Sequence, residues 1–279
     1  MQNQNQTTLC SQQLTEHLHA QAKQVRSSIV TMLTQAKSSH LGCCFSIADI
    51  LTVLYNCFLN RDLIVQQAPD RDYFILSKGH SAAALYATLA SVNIIPAEIL
   101  KSYYADGGVL GGHPMKGSLP GVESSTGSLG HGLSMGVGLA YAAKVDGLKN
   151  KIYVLVGDGE SQEGSMWEAI MMAARFKLNN LVLIVDYNNL QGLDATDDLV
   201  PGTWQDKFAA FGWNVTSIDG HNVGEIFTAF SHVGKTDKPD VIIAHTTKGR
   251  GVTFIENKIE WHYKSFSADQ YIQAQKELC

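Results

Sequence analysis

Apolar residues along this chain recur with two periods, and the switching between them predicts the elements. Leu14, Leu18, Val25, Ile29 and Met32 fall on one face of a long helical segment ending near Lys37. Ser38-Ser39-His40-Leu41-Gly42 follows as a loop. Ser46 is expected to open the next helix, with Asp49 completing a capping-box variant and Ile47, Ile50, Leu51, Leu54 and Phe58 as the buried stripe. A short strand, Tyr73-Phe74-Ile75-Leu76, leads through Ser77-Lys78-Gly79-His80 into an alanine-rich helix from Ser81.

The clearest unit lies further on. Ile152-Tyr153-Val154-Leu155-Val156 is an apolar, β-branched run that breaks at Gly157-Asp158-Gly159. Trp167, Ile170, Met171 and Ala174 then follow helical spacing, and Leu181-Val182-Leu183-Ile184-Val185 ends at Asp186-Tyr187-Asn188-Asn189. Strand, helix, strand in this length is one βαβ crossover, which makes the strands parallel. A helix near Trp204 to Phe211, a strand Trp213 to Ile218, a helix near Val223 to Val233 and a strand Val241 to His245 continue the alternation. Thr246-Thr247-Lys248-Gly249-Arg250-Gly251 and an amphipathic tail close the chain. The pattern predicts an α/β fold: a doubly wound, mostly parallel sheet with helices on both faces, as one domain over residues 1–279.

This reading places Asp158 and Asn188 just past the ends of two neighbouring strands, at the edge where open α/β sheets bind ligands. A carboxylate beside an amide oxygen suits a hard cation, and Mg²⁺ fits best because it commonly sits between protein oxygens and phosphates. The main-chain carbonyl of Leu190 is a candidate third ligand. Gly-Asp-Gly after a strand is also a common tight turn. The Asn-Asn at the end of the next strand tips the balance towards the cation.

Composition excludes several classes. With 45% apolar and 17% charged residues in 279, the chain can bury a full core. A net charge of −5 gives no reason to expect nucleic acid or an anionic membrane as partner. Cys10, Cys43, Cys44, Cys57 and Cys279 form no CxxC pair and read as reduced thiols of a cytoplasmic protein. The polar opening Met1 to Gln6 has no secretory pattern, and no apolar run approaches the ~20 residues that span a bilayer. Between Asp106 and Gly138 a Gly-, Ser- and Thr-rich stretch suits a backbone loop holding an anion at a helix N-terminus. Gly130-His131-Gly132-Leu133-Ser134-Met135-Gly136 nearly spells a dinucleotide fingerprint, but no apolar strand precedes it, so a nicotinamide cofactor is disfavoured.

Several motifs occur in a telling order: Ser38 to Gly42, Leu76-Ser77-Lys78-Gly79-His80, Gly112-His113-Pro114, Thr126-Gly127-Ser128-Leu129-Gly130, the Gly157-Asp158-Gly159 to Asn188-Asn189 pair, and Trp261-His262. Over nearly the whole chain this resembles transketolase, in its N-terminal, diphosphate-binding domain. The resemblance implies transfer of a two-carbon ketol unit from a ketose (phosphate) to an aldose (phosphate), with thiamine diphosphate and Mg²⁺ (Ca²⁺ or Mn²⁺ as substitutes). It implies that Asp158, Asn188 and the carbonyl of Leu190 hold the ion. Gly157, Gly159, His80, Gly127, Ser128 and Leu129 would hold the cofactor, and His262 would lie between its diphosphate and the substrate. His40 and His113 would face sugar hydroxyls, and Glu163 would link two cofactor sites across a dimer.

Each of these histidines also has a plain explanation as a loop residue satisfied by backbone. His17, His19, His221, His232 and His245 keep that explanation, and His131 receives no role. Two departures stand out: Tyr263-Lys264-Ser265 after His262, where many relatives have glycine at once, and Cys43-Cys44, where small residues are common. The pyrimidine-binding domain is missing from this chain, so the resemblance implies a split enzyme with a second polypeptide, assembled as a heterotetramer. Exposed apolar patches are expected, with Met135, Met166, Met171 and Met172 as candidates, although core packing explains them equally well. The alternatives are the alpha subunit of a thiamine-dependent 2-oxo acid dehydrogenase and a non-catalytic scaffold of the same fold. The sugar-facing histidines argue against the first, and intact Asp158, Asn188, His80 and His262 against the second.

Overall fold

The computed structural model describes residues 11–199 and 202–279; Cys10 and the polar opening lie outside them. The first helix, α1 (Gln12–Gln35), is capped by Ser11, whose hydroxyl accepts the Leu14 N–H at 3.2 Å. Then come α2 (Leu41–Ser46), α3 (Ala48–Cys57), α4 (Arg61–Val65), strand β1 (Tyr73–Leu76) and α5 (Ala82–Ser91). After the glycine-rich stretch follow α6 (Gly132–Val145), β2 (Ile152–Gly157), α7 (Gly164–Arg175) and β3 (Leu181–Tyr187). The remainder is α8 (Thr196–Leu199), α9 (Trp204–Ala210), β4 (Asn214–Asp219), α10 (Val223–His232), β5 (Asp240–His245) and α11 (Ala268–Leu278).

The five strands form one sheet in the order β1-β2-β3-β5-β4, and every pairing is parallel. The expected β2–β3 neighbourhood holds, in register from Ile152↔Leu181 to Gly157↔Asp186. Central strands are buried on both faces, so their side chains divide by parity. Tyr153, Leu155, Val182, Ile184 and Ile242 join the core under α1, α3, α5 and α10. Ile152, Val154, Leu181, Leu183, Val185 and Val241 join the opposite core under α6, α7 and α9. Close approach of α6 requires Gly136, where a Cβ would lie 2.5 Å from Val154 Cγ2. No helix among the described residues is long and apolar enough to cross a membrane.

Two expectations near the first loop need correction. The chain is already helical from Leu41, and Ser46 ends α2 instead of capping α3, whose preceding residue Ile47 makes no side-chain cap. Tertiary partners outcompete the cap: the Ser46 hydroxyl donates to buried Asp186 at 2.7 Å, and Asp49 is engaged by Arg26 and His221. Of the four candidate surface methionines, Met171 and Met172 are exposed, Met135 is half-buried and Met166 belongs to the core. Cys43, Cys44 and Cys279 carry free thiols.

The Arg26–Asp49 pair joins α1 to α3 inside the protein, with side chains only 6% and 5% exposed and a closest approach of 2.5 Å. Burial opposes ionisation of Asp49, but the Arg26 guanidinium and His221 outweigh it and hold the carboxyl well below its ordinary 3.8. A depressed carboxyl contributes stability above the unfolded-state pKa and loses it as pH falls below that value. Asp49→Ala should therefore cost about 3–5 kcal/mol in chemical denaturation at pH 7, because Arg26 is left buried and unpaired. Arg26→Met combined with Asp49→Leu should recover most of that loss.

Candidate active site

Because all strands run the same way, their C-terminal ends deliver residues to one edge. β1 leads into Ser77-Lys78-Gly79-His80, β2 delivers Asp158, β3 delivers Asn188, and β5 leads into Thr246-Thr247-Lys248. Asp158 Oδ2 accepts the Asn189 N–H at 2.7 Å and Oδ1 accepts the Gly159 N–H at 2.9 Å, tying the two strand ends together. Asn189 takes the left-handed region at φ 57°, which asparagine tolerates. Asn188 Oδ1 accepts the Leu190 N–H at 3.2 Å, while its Nδ2 donates to Asp186 Oδ2 at 3.2 Å.

Three imidazoles cluster beside this pair. Ring centroids lie 5.1 Å apart for His40 and His80, 5.0 Å for His40 and His262, and 5.7 Å for His80 and His262. His40 sits at φ 70°, and its N–H donates to the His262 carbonyl at 3.1 Å, so a backbone bond couples residues distant in sequence. His113 approaches from the glycine-rich stretch against Gly127. That glycine has φ 151°, and a Cβ there would lie 2.9 Å from His113 Cδ2.

One cavity of about 600 Å³ gathers these groups. Of the residues expected at the site, His40, His80, His113, Gly127, Leu129 and Gly157 line it, as do Asp158, Gly159, Glu163, Asn188, Leu190 and His262. Ser128 is not brought in; its side chain is exposed outside the cavity, with its hydroxyl 3.3 Å from His131 Nδ1. His17, His19, His232 and His245 are exposed and lie outside the cavity. His221 is half-buried, its Nδ1 2.8 Å from Asp49 Oδ2 and its Nε2 accepting the Thr247 N–H at 2.8 Å, so backbone satisfies one of its nitrogens.

Sequence reasoning leaves several lining residues without a role: Cys43, Lys78, Glu160, Gln191, Lys248 and Tyr263. Glu160 receives the Ser77 hydroxyl and the N–H groups of Gly130 and Gly157, so it locks the glycine-rich stretch to the β2 turn. Its position two residues after Asp158 is the signal that could have found it. Lys248 Nζ donates to the carbonyls of Leu190 at 2.8 Å and Gln191 at 3.2 Å.

Burial governs the electrostatics. It pushes the Asp158 carboxyl up to about 6, with the neighbouring Asp186 charge adding to it. It lowers His262 to about 4, reinforced by Lys248, His40 and His80, and it also lowers His40, His113 and Lys248. The edge therefore presents His40, His113 and His262 as neutral imidazoles at pH 7, and His262 Nδ1 is buried with no protein partner.

These residues fit a metal-bound diphosphate. The donor set at the edge is all oxygen, with one carboxylate, as hard cations prefer. The Leu190 carbonyl accepts from Lys248 Nζ at 2.8 Å and keeps a second lone pair. Gly159 leaves space that a Cβ would fill, 2.9 Å from Gln191 Cγ.

A parallel sheet with an acidic turn, an amide at the next strand end and a glycine-rich loop on one cavity defines an α/β domain of the thiamine diphosphate enzymes. Residues 18–279 match the transketolase, thiamine diphosphate binding domain model. The chain belongs to that family. It is 43% identical to a subunit of the apulose-4-phosphate transketolase of Actinobacillus succinogenes, covering 94% of this chain and 96% of that one. It is 38% identical to the 6-deoxy-6-sulfo-D-fructose transketolase subunit SqwG of a Clostridium species, over 94% and 96%. The crystal structure of Campylobacter jejuni transketolase superposes with a TM-score of 0.87 at 33% identity, over 94% of this chain and 43% of that one. The chain thus spans less than half the length of that transketolase. These relatives decide between the two enzymatic readings in favour of thiamine diphosphate-dependent ketol transfer.

The lowered His262 carries a pH signature. Between 6.5 and about 4 the unfolded chain binds a proton that the folded site refuses, so this group's share of stability is present above 6.5 and is lost as pH falls through that window. NMR titration of the His262 ring should give a midpoint near 4, and a midpoint at the ordinary 6.5 would contradict the geometry.

Proposed function

We propose that this chain is the cofactor-binding half of a two-chain transketolase, acting on anionic sugars with a partner that carries the pyrimidine-binding domain. The observation that carries the reading is the pairing of the Asp158 carboxylate with the Asn188 amide oxygen at adjacent strand ends, beside neutral histidines. Asp158, Asn188 and the Leu190 carbonyl would hold Mg²⁺, with water and diphosphate oxygens completing its shell. His80, Gly157, Gly159, Gly127 and Leu129 would cradle the cofactor, Ser128 contributing only backbone.

Bound thiamine diphosphate supplies a nucleophilic carbon and an electron sink for breaking and forming a carbon–carbon bond. The protein residues do the rest. Neutral His40 and His113 orient sugar hydroxyls and take or return their protons. His262 Nδ1, buried and unpartnered, would hydrogen-bond the cofactor diphosphate or the substrate. Glu163, exposed on the turn before α7, is available to a neighbouring protomer.

The need for a partner is supported by relatives that are themselves named as transketolase subunits and are matched over nearly their whole length. An apolar surface for assembly is available on α6 and α7, where Tyr141, Val145, Met171 and Met172 are exposed. Assembly as a heterotetramer is our reading of that surface together with Glu163. The free thiols of Cys43, Cys44 and Cys279 support a cytoplasmic location. The relatives' names, a sugar phosphate and a sulfosugar, support substrates with an anionic group.

Reconstitution with the partner chain should give ketol transfer between sugar phosphates and no 2-oxo acid decarboxylation. Asp158→Ala should lower Mg²⁺-dependent cofactor retention and turnover together, by at least ~100-fold. Full activity in that variant would refute the proposed metal site.

A further inference from the structure

Asp186 is fully buried on β3, two residues before Asn188, and four side-chain donors converge on it. Ser46 Oγ lies at 2.7 Å, Lys78 Nζ at 2.5 Å and Asn188 Nδ2 at 3.2 Å, all from Oδ2; Thr246 donates to Oδ1. Lys78 is buried as well, its side chain 2% exposed, and also donates to the Cys43 carbonyl at 3.0 Å. A buried ion pair of this kind is weak evidence for stability, since an apolar pair of similar volume often does as well. What it bears on is the orientation of the other side chains that the carboxylate touches. Of the four donors, Lys78 and Asn188 line the cavity, and Asn188 is the one read as a ligand of the proposed cation.

An amide side chain has two ends of similar shape and opposite character, a carbonyl that accepts and an NH₂ that donates. Its neighbours decide which end faces where. The Asp186 carboxylate can only accept, so it takes Nδ2. The Leu190 N–H can only donate, so it takes Oδ1. Turned by half a rotation, the amide would set its oxygen against a carboxylate and its NH₂ against an N–H. It would also present hydrogen atoms to a cation.

We infer that Asp186, neutralised by Lys78, is a positioning residue that fixes the Asn188 amide with its oxygen towards the cation site. The inference rests on the reading of Asn188 as a metal ligand. Asp186 lines no part of the cavity; it acts only through residue 188. Loss of such a supporting group commonly weakens metal binding by about 10–100-fold.

The test is a double-mutant cycle on the full chain with its partner, with Mn²⁺ as a paramagnetic probe in the presence of thiamine diphosphate and thermal melts as the folding control. Asp186→Asn should weaken Mn²⁺ binding by about 10–100-fold. In an Asn188→Asp background the same change should cost less than about threefold, because a carboxylate offers oxygen whichever way it turns. A purely structural role predicts equal losses in both backgrounds, and that result would overturn the inference. Should Asp186→Asn not fold, Lys78→Met with Asp186→Leu replaces the pair by apolar bodies and must show the same background dependence. Wild-type binding of Mn²⁺ matched by Asp186→Asn overturns this inference alone. Wild-type protein that binds no Mn²⁺ overturns the metal site and the inference with it.

Discussion

The register of β2 against β3 is the constraint on which the site depends. With Gly157 opposite Asp186, the residues that follow each strand emerge side by side, and the Asn189 N–H closes on the Asp158 carboxylate. A shift by one residue would turn each strand's core side chains to the wrong face of the sheet and separate the two oxygens. Register is held by burial on both faces: the alternating residues of the two strands fill separate cores under different helices. Site geometry is thus set by the same packing that makes the fold, and no loop has to find it alone.

Around that edge the protein lowers the cost of working with neutral imidazoles. His40, His113 and His262 are all shifted towards the uncharged form by burial, and Lys248 pushes His40 and His262 further. The rings of His40, His80 and His262 lie only 5.0–5.7 Å apart, and charge on more than one of them would be repulsive. Positive charge at the cavity wall is carried instead by Lys248, whose amino group is held by carbonyls, while Lys78 is paired with Asp186. Positive charge and proton-accepting nitrogen are therefore kept on different residues, which suits a site that must hold an anion and move protons.

What can be read from the chain follows from how local each feature is. Strands β2, β3 and β5 declare themselves by apolar runs, and Asp158 and Asn188 follow from strand ends alone. Ser46 misleads because its capping value is local, whereas its real partner, Asp186, is remote in sequence. Asp186 itself is visible only as the end of a strand. Nothing nearby shows that Ser46, Lys78 and Thr246 converge on it. Glu160 and Lys248 stand in runs that invite attention, yet their roles depend on contacts with Ser77, Leu190 and Gln191 that only folding creates. His221, read from sequence as a loop residue satisfied by backbone, does accept the Thr247 amide, but its second partner, Asp49, is remote and could not be read from the chain.

The backbone bond from His40 to His262, with His40 in the left-handed region, makes a mechanical couple of two segments far apart in the sequence. Any redesign that exchanges the segment around residue 262 for a relative's, whether to widen the mouth beside Tyr263 or to admit a different sugar, also moves the imidazole at position 40. Engineers of this scaffold should treat the two loops as one exchangeable cassette.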